Sequence, residues 1–413
     1  MRIAQIGFYR DPADRAPEEL LDAWPTLVDV AESVAMAGTD VSVIQSSGHS
    51  RYFRRNEVDY HFLPLRVSRW QLRSQDTFAA LIRGMAPQVL HVHGLGFPGA
   101  VRLMAQAAPG IPILLQDHAN RPPRWWRRPA WKRCGRSVAG VAFCQRQQAR
   151  PFIEAGVLAS GTAVYEVPES SSRFVPGARE AARRGTGITG DPAVLWVGHL
   201  DANKDPLTVL DGVAAAAAEL PGLELWCCFG TGPLLLQVRR RIASDRRLQG
   251  RVHLLGPVPH AQVEQLMRAA DLFVSGSHRE STGYALIEAL ACGLPPLATD
   301  IPSFRALTRE GAVGQLWPPG HAPALCAALL RLRARSAPAD RAAVRQHFER
   351  ELSFEALGRR LTDVYADLVV RRRCHGGNGL DHPAGVQPPA LPARRGRIRA
   401  GTDLPGLGAD HRR

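Results

Sequence analysis

From the first residue to about position 370, short apolar runs alternate with stretches whose apolar residues recur every three to four positions. The first kind of run marks a strand buried on both faces and the second an amphipathic helix. Their regular alternation predicts βαβ units and parallel sheets. In the first part of the chain, strands are predicted at 3–8, 41–45, 60–65, 89–92, 111–116, 138–143 and 162–167, with helices at 25–37 and 77–85 between them. The stretch 177–191 is polar, rich in Gly and Arg, and has no strand pattern, so a linker is expected there between a domain at 1–176 and a second at 192–345.

The second part is more sharply punctuated. Strands are predicted at 194–197, 223–229, 252–255, 272–275 and 297–298. Asp205-Pro206 supplies an N-cap and a first-turn proline ahead of Leu207, Leu210 and Val213, and Gly232-Pro233 does the same ahead of Leu234, Leu235 and Val238. Gly293 followed by Pro295 and Pro296 closes the helix that carries Glu288. The expected fold class is α/β, with two doubly wound Rossmann-like domains facing a central cleft. Ligands in such sheets bind at the carboxyl ends of the strands, where helix N-termini converge.

Composition narrows the class. A chain of 413 residues, 45% hydrophobic and 22% charged, is ordinary for a globular protein of two or three domains and excludes a fibrous or disordered one. No run reaches the ~18–20 apolar residues of a membrane-spanning helix. The start Met1-Arg2-Ile3-Ala4-Gln5-Ile6-Gly7 is too short an apolar stretch for a signal peptide and reads as a first strand. Seven cysteines without a C-x-x-C spacing fit neither a disulfide framework nor a structural zinc site. A reduced, cytoplasmic setting is expected.

The net charge of +14 shifts this picture little. Of the 52 basic residues only Lys132 and Lys204 are lysine, so 50 are arginine, a pattern of GC-rich coding rather than of a nucleic-acid-binding face. Residues 371–413 hold nine Arg against three Asp, with eight Gly and five Pro, and read as a disordered basic tail.

Candidate chemistry concentrates at 277–288. Glu280 falls in the loop after a strand and Glu288 on the second turn of the next helix. Between them Ser281, Thr282 and Gly283 form a polar turn at that helix's N-terminus, where free backbone N–H groups suit phosphate or sugar hydroxyls. A carboxylate on either side suits a vicinal diol, because it accepts two hydrogen bonds. The plainer alternative is a solvated loop glutamate and a helix glutamate paired with arginine. Lys204 sits just before the N-cap Asp205, where an ammonium and a helix dipole together suit a diphosphate; a solvated loop lysine is the alternative. Gly230-Thr231-Gly232 is a tight turn after a strand, permitting close backbone approach.

Taken together, "VGHLDANKDPLTVL", "FGTGP", "VHLLGPVPHAQVEQLMRAADLFVSGS" and "ESTGYALIEALACGLPPLATDIPSFRAL" resemble the donor domain of retaining glycosyltransferases of family 4, which have the two-domain GT-B fold. The segment "HFERELSFEALGRRLTDVYADLV" resembles the helix, here 346–370, that crosses back to the first domain. The resemblance implies a nucleoside-diphosphate-sugar donor, no cofactor and no metal, in agreement with the lack of a D-x-D motif. It implies that Lys204 neutralises the leaving diphosphate, that Glu280 contacts the transferred sugar, that the backbone of Ser281, Thr282 and Gly283 holds sugar and phosphate, and that Glu288 binds the ribose. The backbone at Val258 would line the base pocket, and His199, Gly230 and Gly232 would complete the donor site.

The chain departs from the family in three places. His199 stands where members usually carry an arginine. Gly7-Phe8-Tyr9-Arg10-Asp11-Pro12 replaces a glycine pair, and Val167-Pro168-Glu169-Ser170-Ser171 replaces an asparagine-glycine turn.

In the first domain His91 and His93 lie on one face of a strand, but no third ligand is identifiable, so a two-histidine metal site is the disfavoured reading and no metal is expected. His118, after the next strand, is expected to face the cleft, and by resemblance orients the acceptor hydroxyl or the sugar's O6; a hydrogen-bonded structural histidine is the alternative. Residues 121–136 carry seven basic residues, Trp125, Trp126 and Trp131, and no acid. Three readings apply: a basic helix packed over its tryptophans, a surface for a membrane or lipid-linked acceptor, and, least favoured, nucleic-acid stacking. The expected partners are the nucleotide sugar and a glycan or lipid-linked acceptor, with peripheral contact at the inner face of the membrane through 121–136 and no nucleic acid. The expected activity is retaining transfer to an acceptor hydroxyl in polysaccharide or surface-glycan synthesis. A nucleotide-sugar epimerase on the same fold, or a non-catalytic nucleotide-sugar-binding protein, are the alternatives.

Overall fold

The computed structural model describes residues 1–376 apart from 68–71, 74, 119–120, 160 and 334–337. Among the described residues, ten strands belong to the first part of the chain: β1 (Arg2–Gly7), β2 (Asp40–Ser46), β3 (Arg51–Arg55), β4 (Val58–Leu63), β5 (Arg66–Val67), β6 (Leu72–Arg73), β7 (Val89–His93), β8 (Ile113–Gln116), β9 (Gly140–Phe143) and β10 (Ala163–Glu166). Eight of them form one sheet in the order β10-β9-β8-β7-β1-β2-β4-β3, parallel except for β3, which runs antiparallel to β4 at the edge. β5 and β6 pair separately.

The second part holds β11 (Ala193–Gly198), β12 (Glu224–Phe229), β13 (Val252–Gly256), β14 (Leu272–Ser275), β15 (Pro296–Thr299) and β16 (Gln315–Trp317) in the parallel order β13-β12-β11-β14-β15-β16. That is the doubly wound order, whose crevice opens where the direction of winding reverses, between β11 and β14.

Both sheets are covered on two faces, so their central strands are mostly apolar rather than alternating, whereas β4 alternates and the edge strand β3 is exposed. Ala193 and Leu195 of β11 enter one core with Phe273 and Leu290, while Val194 and Trp196 enter another with Val213 and Trp317. In the same way Ala4 and Ile6 of β1 face a core with Phe78 and Val92, and Ile3 faces the opposite one with Val41.

Register sets the level at which chemistry is presented. Gly7 lies opposite Gln45 and His93, and His93 opposite Gln116, so the carboxyl ends of four strands form one row. In the other sheet Gly198 lies opposite Phe229, and the loops 199–205, 230–234, 257–259 and 276–283 leave from the carboxyl ends of β11, β12, β13 and β14.

Two expected boundaries are corrected. The stretch 177–191 is not a bare linker: it contains a helix, Arg179–Thr186, and Ala182 and Ile188 join the second domain's core. Arg183 donates to Asp271 at 2.7 Å, which explains why so polar a segment is helical and docked. The last helix, Phe354–Gly376, runs past the expected tail boundary at 371, its Asp367 accepting hydrogen bonds from Tyr165 and Arg371. The remainder of the expected tail lies outside the described residues.

This last helix inserts Leu357, Leu361, Tyr365 and Leu368 into the first domain's core, whereas Val344 and Phe348 of the preceding helix, Pro338–Glu351, pack in the second domain. The helix after β12 begins at Leu235 instead of directly after Gly232-Pro233. The intervening turn is held by Leu234 N–H on the Leu200 carbonyl and Leu235 N–H on the Gly232 carbonyl.

Candidate active site

The loops after β11 and β14 are hydrogen-bonded side by side. The His278 N–H donates to the Asn203 carbonyl at 2.8 Å, and the Asn203 amide donates to the Arg279 carbonyl at 3.0 Å. His278 Nε2 meets Asp205 Oδ2 at 2.9 Å, while Asp205 Oδ1 caps the helix Pro206–Ala216 by accepting from Thr208 N–H. Gly276 makes this closeness achievable: a Cβ there would stand 2.9 Å from the Lys204 carbonyl oxygen. Lys204 and Glu280 are thereby brought into direct contact, Nζ against Oε1, with both side chains largely shielded from solvent.

The turn that follows ends on Gly283, which has φ +88° and whose added Cβ would lie 2.5 Å from Phe304. Gly283 is the N-cap of the helix Tyr284–Ala291 and has no side chain to satisfy its first N–H groups. Thr282 is fully buried, so its side chain is withheld from a ligand, while Ser281 and Gly283 are half-buried. The helix is closed by Gly293 as a Schellman motif, with Gly293 N–H on the Leu290 carbonyl and Leu294 N–H on that of Ala289.

Glu288, one turn into this helix, meets His260 Nε2 at 2.6 Å. The hydrogen bond from Glu288 raises the His260 pKa above its ordinary value, against a smaller opposing effect of burial. His260 opens the helix after Val258, and its ring lies 4.7 Å from that of Phe174. Val258 packs at the edge of the same core.

His199 sits beside the Gly230-Thr231-Gly232 turn. Its Nδ1 accepts the Thr231 N–H at 3.1 Å, which fixes the ring and leaves Nε2 as the nitrogen that can address a ligand. A Cβ on Gly230 would press on this ring at 3.2 Å.

Across the cleft a cavity of about 900 Å³ opens at the row of strand ends, lined among others by Gly7, Asp11, His93, His118 and, from the second domain, Tyr284. His118 Nδ1 lies 3.2 Å from Glu169 Oε2 and its Nε2 lies 3.3 Å from His93 Nδ1. Burial, with His91 and His118 adding to it, keeps the His93 pKa far below the ordinary value. His91, whose ring centroid lies 4.5 Å from that of His93, meets the Tyr365 hydroxyl at 2.7 Å, and burial pushes its pKa down to about 3. Among the described residues no group of three or more His, Cys, Asp and Glu is arranged to hold a metal ion. In the loop after β1, the Asp11 carboxylate accepts from the N–H groups of Ala13 and Arg15, so these donors are already occupied.

Sequence reasoning missed Gln148. Its amide reaches over from the first domain to the carbonyls of Glu280 and Ser281. The signal was the Gln145-Arg146-Gln147-Gln148 sequence after a strand, which forms a capping box. His260 and Glu169 were missed as partners because their contacts join distant parts of the chain.

Two doubly wound domains whose strand ends face one cleft define the GT-B class of glycosyltransferases. Solved structures agree on the fold: sucrose-phosphate synthase from Thermosynechococcus elongatus has a TM-score of 0.63 at 20% identity, covering 90% of this chain and 99% of that one. A glycosyltransferase from Rickettsia africae has a TM-score of 0.67 at 13% identity, covering 89% and 98%, and Anabaena HepE in complex with UDP has 0.63 at 16%, covering 89% and 100%.

The family model described as Glycosyl transferases group 1 matches residues 191–335, and that described as Glycosyl transferase 4-like domain matches 23–166. The chain belongs to this family, the group 1 glycosyltransferases of family 4. Among curated relatives, D-inositol 3-phosphate glycosyltransferase of Thermobispora bispora is 33% identical over 48% of this chain and 48% of its own length, and that of Nocardia farcinica is 37% identical over 35% and 34%. The chain thus aligns with about half, or less, of the length of these relatives. Among the described residues no helix is long and apolar enough to cross a membrane.

Proposed function

We propose that this glycosyltransferase transfers a sugar from a nucleoside-diphosphate donor to an acceptor hydroxyl with retention, without a metal or other cofactor. The observation that carries the reading is the joined pair of loops after β11 and β14, which puts Lys204 against Glu280 at the N-termini of two helices. A diphosphate entering there meets the Lys204 ammonium, the His199 Nε2 and the N–H groups of the 281–283 turn. These positive groups offset the charge that develops as the sugar leaves.

In the front-face route the acceptor oxygen bonds to the anomeric carbon as the bond from that carbon to the phosphate oxygen breaks. The acceptor's proton passes to the departing phosphate. Glu280 orients the sugar, Glu288 the ribose, and His118 the acceptor hydroxyl or the sugar's O6. The acceptor is a glycan or a lipid-linked glycan, and the protein works in the cytoplasm, touching the inner face of the membrane through 121–136. The match to inositol-phosphate glycosyltransferases widens the acceptor class to phosphorylated polyols, and the HepE structures with UDP and UDP-glucose make UDP the first donor base to try.

Thermal shift with millimolar UDP, GDP, ADP and dTDP, with and without EDTA, tests the reading. A ligand at 100 times its dissociation constant stabilises the fold by about 2.7 kcal/mol, several degrees in a melt. One nucleotide raising the midpoint regardless of EDTA is expected. No response to any of them overturns the donor site and leaves a non-catalytic protein.

A further inference from the structure

Directly beyond His118 the chain builds a second concavity that the transfer reaction as described does not use. It measures about 460 Å³ and is lined by Arg121, Arg124, Arg127, Trp126, Trp131 and Gly96. Gly96 also lines the cavity that holds His93 and His118, so the two spaces adjoin.

The charged residues that line this recess are all of one sign. Arg173, Arg241 and Arg305 each lie against an aspartate. By contrast, among the described residues none of the seven cations of 121–136 is paired with a carboxylate, and the segment contains no acid. Among the described residues, the buried Nε of Arg128, next to the recess in sequence but outside its lining, has no hydrogen-bond partner. Like charges gathered without counter-charge repel, and the positive potential they raise in a recess attracts and retains an anion.

Three planar guanidinium forks, those of Arg121, Arg124 and Arg127, line the same recess and suit a multidentate oxyanion. The Arg124 guanidinium stands 5.3 Å from the centroid of the Trp126 ring, and both residues line the pocket. Trp131 is anchored on Phe152, with ring centroids 6.5 Å apart, and gives the recess a rigid wall. The expectation of tryptophans packed beneath a basic helix therefore holds for Trp131 alone: Trp125 is 73% exposed and Trp126 52%.

We propose that this recess is an anion site that holds a phosphate of the acceptor while the acceptor's hydroxyl enters the adjoining cavity at His118. The inference rests on the glycosyltransferase reading and names its substrate class: an acceptor bearing a phosphate ester or diphosphate. Arginine forks pair with phosphate oxygens through parallel N–H bonds, so three of them around one recess select a phosphate over a neutral glycan. The phosphate belongs either to a water-soluble phosphate ester or to a lipid headgroup, and the exposed Trp125 beside it suits insertion at a bilayer interface.

The test compares the full chain with R124Q/R127Q, both surface residues. Inorganic phosphate at about 20 mM, added to protein already saturated with its nucleoside diphosphate, is expected to raise the melting midpoint of the native chain by roughly 2–4 °C and that of the double variant by less than about 1 °C. The shift produced by the nucleoside diphosphate itself is expected to be the same in both proteins. Should that nucleotide shift be missing altogether, the donor site fails, a result separate from the phosphate comparison. No phosphate response in the native chain, or an equal response in the double variant, overturns the anion site. Co-sedimentation with phosphatidylcholine vesicles, with and without 30% phosphatidylglycerol, then separates the sources. Sedimentation that needs the anionic lipid and is lost in R124Q/R127Q assigns a lipid headgroup, and a phosphate response without sedimentation assigns a soluble ester.

Discussion

The Gln148 side-chain amide, on the first-domain side of the cleft, donates to the Ser281 carbonyl at 3.0 Å and to the Glu280 carbonyl at 3.3 Å. Its own oxygen accepts the Gln145 N–H at 2.9 Å, so the amide has one orientation only. A residue of the first domain therefore fixes the backbone that carries Glu280. Each neutral hydrogen bond of this kind contributes about 0.5–1.5 kcal/mol. Gln148→Ala is expected to lower kcat by about tenfold with a melting midpoint within a few degrees of the native chain. Gln148→Glu, which turns an acceptor toward two carbonyls, should lose more. Steady-state kinetics with the donor that binds would decide it, and equal rates in all three proteins would remove Gln148 from the site.

Lys204 and Glu280 touch each other but answer to different parts of the donor. Lys204→Ala removes the charge proposed for the diphosphate, and Glu280→Gln alters only the proposed sugar contact. Both are expected to cut transfer by at least ~10²-fold, the usual scale for losing one electrostatic contact to a transition state. Binding separates them: the nucleoside diphosphate should lose affinity in Lys204→Ala and keep it in Glu280→Gln. Calorimetric titration of both variants with the free nucleotide is the check, and unchanged affinity in Lys204→Ala contradicts its assignment.

At Gly283 stability and function share one atom's worth of space. A φ of +88° with a Cβ only 2.5 Å from Phe304 leaves no unstrained alanine. Gly283→Ala is expected to cost about 2–4 kcal/mol, combining backbone strain and overpacking. Because the helix start moves with the strain, nucleotide binding should weaken as well. Phe304→Leu in the same chain opens room and should restore part of the melting midpoint, but not the strain that comes from φ. A fully native midpoint in Gly283→Ala alone would show that the turn yields freely.

Much of this fold is legible in the sequence because parallel strands buried on both faces are apolar without interruption. Val194, Leu195 and Trp196 or Leu272, Phe273 and Val274 leave no other reading. β3 is missed for the opposite reason: Arg51–Arg55 is an exposed edge strand with charged residues at three of its five positions. The helix Arg179–Thr186 is missed because a Gly- and Arg-rich segment is helical only through Arg179 and Arg183 on Asp271, a contact the local sequence does not contain. In the site, the loop residues Lys204 and Glu280 can be picked out by position relative to helix starts. That they contact each other depends on Gly276 admitting one loop against the other. Gln148 and His260 act on partners over one hundred and over twenty residues away, respectively, and only the folded chain pairs them.

The His260–Glu288 pair makes the last prediction one of pH. Glu288 raises the His260 pKa above its ordinary 6.5, with the Glu264 charge adding to it. A histidine whose folded pKa is raised contributes stability that is fully present below its unfolded value and is lost as pH rises through the folded value. His260→Ala should therefore melt below the native chain at pH 6 and level with it at pH 8.5. Binding has the opposite sign. Protonated His260 occupies the carboxylate proposed for the ribose, so nucleotide affinity of the native chain should rise from pH 6 to pH 8.5 relative to His260→Ala. The nucleotide's own phosphate titrates equally in both and cancels from the comparison. Affinities that change in parallel for the two proteins would mean that the ribose does not compete for Glu288.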